Sequence, residues 1–235
     1  LRTENGTVLG ANGRSAHYGE LAAAAAKLAP PYFLWVHYYD PHEEYRPPSA
    51  FADRATGPHR LYDGEIAYMD SEIGRLLQAL PADTVIAAVG DHGEMLGEHG
   101  ELSHGLLPFA GARRVPLLLA GPGVPSARTE RCLARTVDLA PTLLALAGVT
   151  PPAGLDGSAL LGSGAAALPA GADPCAGPRA LSYTESFLPF FAYRWYPLRA
   201  LSDGRELFLQ APRPSLYDLA SDAAEAVDLA PTFLD

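Results

Sequence analysis

Cysteine is scarce in this chain, with only Cys132 and Cys175 among 235 residues. That excludes a framework of many disulfides and leaves room for one bridge at most, so cysteine usage does not fix the compartment. No apolar run approaches the roughly 20 residues needed to span a bilayer. Basic side chains are outnumbered, Lys+Arg 17 against Asp+Glu 27, giving a net charge of −10 and a pI near 5.1. They form no cluster that would mark a nucleic-acid surface, and Arg113-Arg114 reads as an isolated pair on a solvated turn. The opening Leu1-Arg2-Thr3-Glu4-Asn5-Gly6 has neither an initiator Met nor a signal-peptide pattern, as in a processed chain or a piece of a longer one. No internal repeat is found.

The hydrophobic content, 48%, is ordinary for a soluble globular protein. The length allows a sizeable core in one large or two small domains. Gly (23) and Pro (22) are plentiful, so long loops are expected. Residues 20–29 have strong helix propensity and stop at Pro30-Pro31. Residues 32–38, aromatic and β-branched between prolines, read as a strand. Asp63 is placed to cap a helix whose apolar residues Ile66, Met69, Ile73, Leu76, Leu77 and Leu80 recur at helical spacing up to Pro81. Residues 84–90 and 115–119 read as strands. Asp138 starts a helix through Ala147, with Pro141 in its first turn and Gly148 at its stop.

This order predicts an α/β fold with a mainly parallel sheet flanked by helices over residues 1–149. Residues 150–179, rich in Gly, Ala and Pro, read as a linker or loop. Residues 180–235 predict a small α+β subdomain: short strands at 180–185, 197–202, 206–210 and 215–219, a hairpin turn at Asp203-Gly204, and a helix within 222–230.

The densest chemistry is Asp91-His92-Gly93-Glu94-Met95-Leu96-Gly97-Glu98-His99-Gly100, then Ser103-His104-Gly105. Ligands of open α/β sheets bind just beyond the carboxyl ends of strands, and Asp91 and His92 directly follow the apolar run 84–90. A carboxylate and an imidazole there suit a hard divalent cation, whereas on a plain surface turn Asp and Gly would serve only the backbone. His42, in His37-Tyr38-Tyr39-Asp40-Pro41-His42, lies just past the other predicted strand, where it could bond an anionic oxygen or protonate a leaving group, or simply be held in a turn. His37 reads as packed behind the site, and Asp40 as a carboxylate able to orient a histidine. His104 and His99 are equally placed to contact an anion, and spacing does not choose between them. Glu94 and Glu98 read as ligands or as part of a solvated loop.

These segments resemble the sulfatases of the alkaline phosphatase superfamily. The resemblance is carried by His-x-x-Asp-Pro-His at 37–42, Tyr62-Asp63-Gly64-Glu65-Ile66-Ala67-Tyr68-Met69-Asp70, the Asp91 to Gly105 stretch, Arg114-Val115-Pro116-Leu117, Val137-Asp138-Leu139-Ala140-Pro141-Thr142-Leu143, and Leu216-Tyr217-Asp218-Leu219 with Asp228-Leu229-Ala230. It runs from about residue 30 to the end. It implies that Asp91 and His92 bind a divalent cation, usually Ca2+ and sometimes Mn2+ or Mg2+. It gives His42 and His104 catalytic contacts to the sulfate or ester oxygens, and a sulfate ester of a small molecule or glycan as substrate. The nucleophile would be a formylglycine made from Cys or Ser in Cys/Ser-x-Pro-x-Arg; the compartment is left open, a periplasmic or extracellular one being in keeping with the family.

The chain departs from that pattern in having no Asp-Asp pair. In Cys175-Ala176-Gly177-Pro178-Arg179 the Pro falls one place late, and in Thr56-Gly57-Pro58-His59-Arg60 the first residue is no formylglycine precursor. The resemblance therefore implies the C-terminal part of a sulfatase-like hydrolase, inactive alone, with half a metal site. Phosphodiesterases or phosphoglycerol transferases of the same superfamily, or a non-catalytic remnant, are the alternatives.

Overall fold

A computed structural model describes residues 2–4, 7–9, 24–130, 132–161 and 180–233. The chain divides into two units, Leu1–Thr84 and Val85–Asp235. In the first, strands β1 (Arg2–Glu4), β2 (Thr7–Leu9) and β3 (Leu34–Trp35) form a sheet in that order, β1 antiparallel and β3 parallel to β2. The strand expected over 32–38 is thus paired at only two residues. Of the helix expected at 20–29, the described part is helical only at residues 24–25. After α1 (Ser49–Ala52), the long helix α2 (Arg60–Ala79) begins three residues before Asp63. Asp63 lies in its first turn, where a carboxylate faces the positive end of the helix dipole.

The fully buried face of α2 shares only Leu76 with the apolar stripe read from the sequence. It carries Gly64, Glu65, Glu72 and Leu76, while Ile66 and Leu77 are exposed. The reason is the 40s loop, which packs on this face. A Cβ at Gly64 would stand 2.9 Å from Pro47 Cγ, so only glycine allows the approach. Glu65 is almost wholly buried, and its two carboxylate oxygens accept the backbone N–H groups of His42 (2.9 Å) and Arg46 (2.5 Å).

In the second unit, β4 (Ile86–Val89) pairs antiparallel with β5 (Leu117–Ala120), and α3 (Ala110–Arg113) lies in the loop between them. Parallel pairing needs a crossover, usually a long helix. Here the segment between the strands holds only a 3-10 turn at Glu98–Gly100 and four residues of helix, and the chain returns in the opposite direction. Among the described residues β2–β3 is the one parallel pairing, so the expected mainly parallel sheet is not what these pairings display.

Helix α4 (Leu139–Leu146) carries Pro141 in its first turn, and Gly148 beyond its end takes a positive φ of 71°. Asp138 does not cap it through its side chain. It closes the 3-10 turn Thr136–Asp138, and its buried carboxylate accepts from Arg135 N (2.9 Å), Arg135 Nε (3.1 Å), Arg135 Nη2 (2.7 Å) and Ser158 N (2.9 Å). Burial pushes this carboxyl's pKa up. The Arg135 guanidinium and the Ser158 N–H outweigh that and hold it below the ordinary 3.8. The buried Thr142 hydroxyl donates to Asp138 O (2.6 Å) and accepts from Leu160 N (2.9 Å), tying the loop after α4 to its start.

The C-terminal sheet is antiparallel throughout, in the order β6 (Ser182–Ser186), β7 (Leu198–Ser202), β8 (Glu206–Gln210), β9 (Ser215–Asp218). Helix α5 (Leu188–Tyr193) connects β6 to β7. Asp203-Gly204 makes the predicted turn, with Gly204 at φ 87° and Asp203 Oδ1 accepting from Arg205 N and Glu206 N. The helix expected within 222–230 is a series of turns, and helix α6 is Ala230–Phe233. In β8, Leu207 and Leu209 are buried while their neighbours are exposed, the period-2 signature of a sheet covered on one face. What covers it is the segment after β4: Met95 and Phe109 join Ala200, Leu207, Leu209 and Tyr217 in one core cluster. The sheet is the floor under the Asp91–His104 loop. No described helix is long and apolar enough to cross a membrane.

Candidate functional site

Strand β4 ends at Val89, and Gly90 N still bonds Pro116 O (3.2 Å), so Asp91 is the first residue past the ladder. The turn is pinned from below. Gly93 N donates to Ala112 O (2.7 Å), and Met95 N to Ser103 O (2.9 Å). A Cβ at Gly93 would fall 2.1 Å from Gly111 O, so this turn lies directly on α3 and only glycine fits.

Asp91 is exposed and His92 partly exposed. Asp91 Oδ1 accepts His92 N (3.0 Å), which turns its other oxygen toward the imidazole: Oδ2 stands 3.9 Å from His92 Nε2. Gly93 O lies 2.9 Å from His92 Nδ1. A carbonyl only accepts, so Nδ1 carries the proton and Nε2 is the lone-pair nitrogen of the neutral ring. A carboxylate oxygen and an imidazole nitrogen 3.9 Å apart can both touch a cation placed about 2.0–2.5 Å from each. Among the described residues no group of three or more His, Cys, Asp or Glu gathers around one point. These two donors therefore fit one edge of a coordination shell.

His104 is brought beside them. Its ring lies 4.1 Å from that of His92, tilted by 32°. Behind it the buried carboxylate of Glu94 places Oε1 3.0 Å from His104 Nδ1. By the same reasoning Nδ1–H points at Glu94, which fixes the ring's tautomer and orientation. Glu94 is thus neither on a solvated loop nor beside Asp91 as a ligand. Its role was not legible in the sequence, because only the Met95–Ser103 backbone bond sets residue 94 opposite residue 104.

The structure also separates His104 from His99. His99 takes a left-handed φ of 52° in the 3-10 turn and stacks flat on Phe109, at 3.7 Å between centroids and 8° between planes. Glu98 turns back to accept Leu96 N (2.6 Å). Glu101 is buried, and its two oxygens accept Leu106 N and Leu107 N, each at 2.9 Å, holding the turn that carries His104. Glu225 does the same from the C-terminal tail. Its buried carboxylate accepts Ala110 N (2.7 Å) and Arg113 Nη2 (2.6 Å), clamping α3. Arg113, read from the sequence as part of a solvated turn, is largely buried in this ion pair.

His42 belongs to the first unit. It stacks on Tyr39 (4.4 Å, 22°), its Nδ1 lies 2.5 Å from Glu43 O, and its backbone hangs on Glu65. Asp40 is buried, and His37 meets Trp35 edge to face at 6.3 Å. The structure therefore brings Asp91, His92 and His104 together in the second unit and holds His42 in the first. Of the two nucleophile-like sequences, Thr56 lies exposed between α1 and α2, and Cys175 lies outside the described residues. Cys132 is disulfide-bonded.

The fold is shared with solved structures. The phosphonate monoester hydrolase of Agrobacterium radiobacter superposes with a TM-score of 0.75 at 22% identity, over 92% of this chain and 56% of that one. The putative sulfatase YidJ of Bacteroides fragilis does so with a TM-score of 0.71 at 18% identity, over 94% and 54%. The class is therefore an α/β protein of alkaline-phosphatase-like fold. A family model described as Sulfatase matches residues 17–149, and the chain belongs to the sulfatase family. Among curated relatives, the choline-sulfatase of Rhizobium meliloti (strain 1021) is 38% identical over 96 residues, 39% of this chain and 18% of that protein. The chain spans only part of each of these proteins.

Proposed function

We propose that this chain carries metal- and anion-contacting residues of a sulfate ester hydrolase. The observation that supports this reading best is the row formed by exposed Asp91 and His92, half-buried His104 and the buried carboxylate of Glu94, set at the end of β4. Asp91 Oδ2 and His92 Nε2 would hold a divalent cation, Ca2+ first, with Mn2+ or Mg2+ as substitutes. Bound there, a cation supplies Lewis-acid stabilisation of charge on the ester oxygens. His104, its Nδ1–H committed to Glu94, offers Nε2 as the nitrogen that bonds an anion oxygen when protonated or passes a proton to the departing alcohol. The family resemblance also gives His42 a contact to an anion oxygen. A formylglycine nucleophile, the chemistry of the family, is assigned to no residue of this chain.

Calcium titration by calorimetry, together with NMR of the histidine rings, tests the metal edge. Binding in the weak range, about millimolar for a site of few ligands, is expected. It should be lost in Asp91→Ala and His92→Ala and kept in His42→Ala. Cation binding indifferent to Asp91 and His92 would sink the proposal. The second reading, hydrolysis of phosphorus esters, is favoured by the fold neighbour named as a phosphonate monoester hydrolase. A calcium-dependent preference of the chain for phenyl methylphosphonate, a phosphonate monoester, over phenyl sulfate would select it.

A further inference from the structure

Resting on that reading, we infer that the cleft between the His99–Leu107 turn and the Pro189–Leu198 segment receives the alcohol half of the ester, and that it selects a flat, uncharged ring. The cleft encloses about 350 Å³, and its walls include His99, Glu101, Leu107, Trp195 and Tyr196. That volume is at the small end of ligand pockets and suits one ring better than an extended chain.

Its position follows from two attachments to the turn bearing His104. On one side, Glu101 spends both oxygens on Leu106 N and Leu107 N, so the wall two residues past His104 is rigid. On the other, the Ser186 hydroxyl donates to Gly105 O, and Leu188 approaches so closely that a Cβ at Gly105 would meet its Cδ2 at 3.0 Å. The aromatic segment that follows is thereby latched onto the His104-Gly105 turn. At the end of α5, Arg194 takes a left-handed φ of 60° and turns the chain. Trp195 then stacks on Tyr193 (4.8 Å, 29°) and stays 62% exposed, and Tyr196 stays 42% exposed. Large rings held in fixed poses and left in water are the usual means of stacking on a flat partner.

The charge pattern narrows the ligand. Among the described residues, no lysine or arginine lines the cleft. Of the arginines next to wall residues in the chain, Arg194 lies over the Phe190 ring at 5.8 Å and Arg199 over Phe187 at 5.5 Å, while Arg213, beside Pro212, is exposed. Among the described lining residues the carboxylate is that of Glu101, which repels anions. Among the described lining residues a polysulfated chain would find no counter-charge, whereas an aryl alcohol would lose water against Leu107 and the Trp195 face.

The test uses the full chain with Trp35→Phe, so that Trp195 is the sole tryptophan. Phenol, a polysulfated disaccharide and phenyl sulfate are titrated while Trp195 emission is followed with excitation at the red edge. Phenol should give a saturable change. In Tyr196→Ala, which removes one ring of the wall, binding should be about tenfold weaker. Tyr196→Phe, which keeps the ring, should bind as the parent does and control for folding. The disaccharide should give no saturable change. Saturable binding of the disaccharide tighter than phenol, or no saturable response to phenol in a chain whose Tyr196→Phe form melts normally, would overturn the inference. The two readings fail separately. Phenol binding that survives in Asp91→Ala, with phenyl sulfate gaining nothing from Ca2+ in the parent, would keep the cleft and remove the hydrolase reading.

Discussion

Glu94 is the residue whose environment says most about its task. A carboxylate taken out of water this far is stable only where it is matched by donors, and here one donor is His104 Nδ1. The pair makes a checkable claim about the ring. With Glu94 present, nitrogen chemical shifts of neutral His104 should report the proton on Nδ1. In Glu94→Ala the ring should revert to the Nε2–H form that free neutral imidazole prefers, with a stability loss of about 1–3 kcal/mol. Glu94→Gln, whose amide oxygen can still accept from Nδ1, should retain the Nδ1–H form. An unchanged tautomer in Glu94→Ala would mean that the backbone of the turn alone orients the ring. Asp91-His92-Gly93 was legible in the sequence because a turn after an apolar run announces itself. Glu94, Glu101 and Glu225 were not legible, because each bonds a group between 5 and 115 residues away.

At the scale of elements, α4 depends on a carboxylate that reads as an ordinary helix cap in the sequence. Asp138 holds Arg135 in front of the helix and Ser158 behind it, and the hydroxyl of Thr142 extends the tie to Leu160. Its folded-state pKa lies below the unfolded 3.8, so the unfolded chain takes up this proton first. The stabilisation is therefore complete above about pH 4 and is lost as pH falls through the lower folded value. Asp138→Asn should cost roughly 3 kcal/mol at neutral pH, as breaking a buried ion pair does. It should also flatten the decline in stability below pH 4, measured by urea denaturation at a series of pH values. A decline equally steep in the variant would place the acid sensitivity elsewhere. Most elements of the second half lie within two residues of where periodicity and turn residues put them, from Leu139–Leu146 to Ser215–Asp218. The strand at 32–38 shortened to Leu34–Trp35 because extended propensity makes a ladder only where a partner runs alongside, and among the described residues only Val8 and Leu9 do.

For the molecule as a whole, the antiparallel ribbon β4–β5 is the feature with the largest solution consequence. Among the described residues its two strands pair only with each other, which leaves two open edges. Leu118, in the middle of β5, is 62% exposed. A two-stranded ribbon with apolar side chains in water is a template for association. The chain should scatter light increasingly with concentration and bind apolar dyes. Leu118→Lys should reduce both while changing stability by no more than about 0.5 kcal/mol, as surface substitutions do. A monodisperse parent, measured by light scattering at high concentration, would show that these edges are protected.

The sequence by itself determined the α/β alternation, the turn residues, the Asp91-His92-Gly93 motif and membership of the sulfatase family, because all of these are carried by neighbours along the chain. Tertiary structure decided the rest. It set His104 rather than His99 beside His92, because Glu94 draws one ring in while Phe109 takes the other. It placed the C-terminal sheet beneath the loop, because Met95 and Phe109 needed the apolar face of Leu207 and Leu209. It also made clamps of four glutamates, Glu65, Glu94, Glu101 and Glu225, since a buried carboxylate is tolerated only where backbone N–H groups or side-chain donors converge on it.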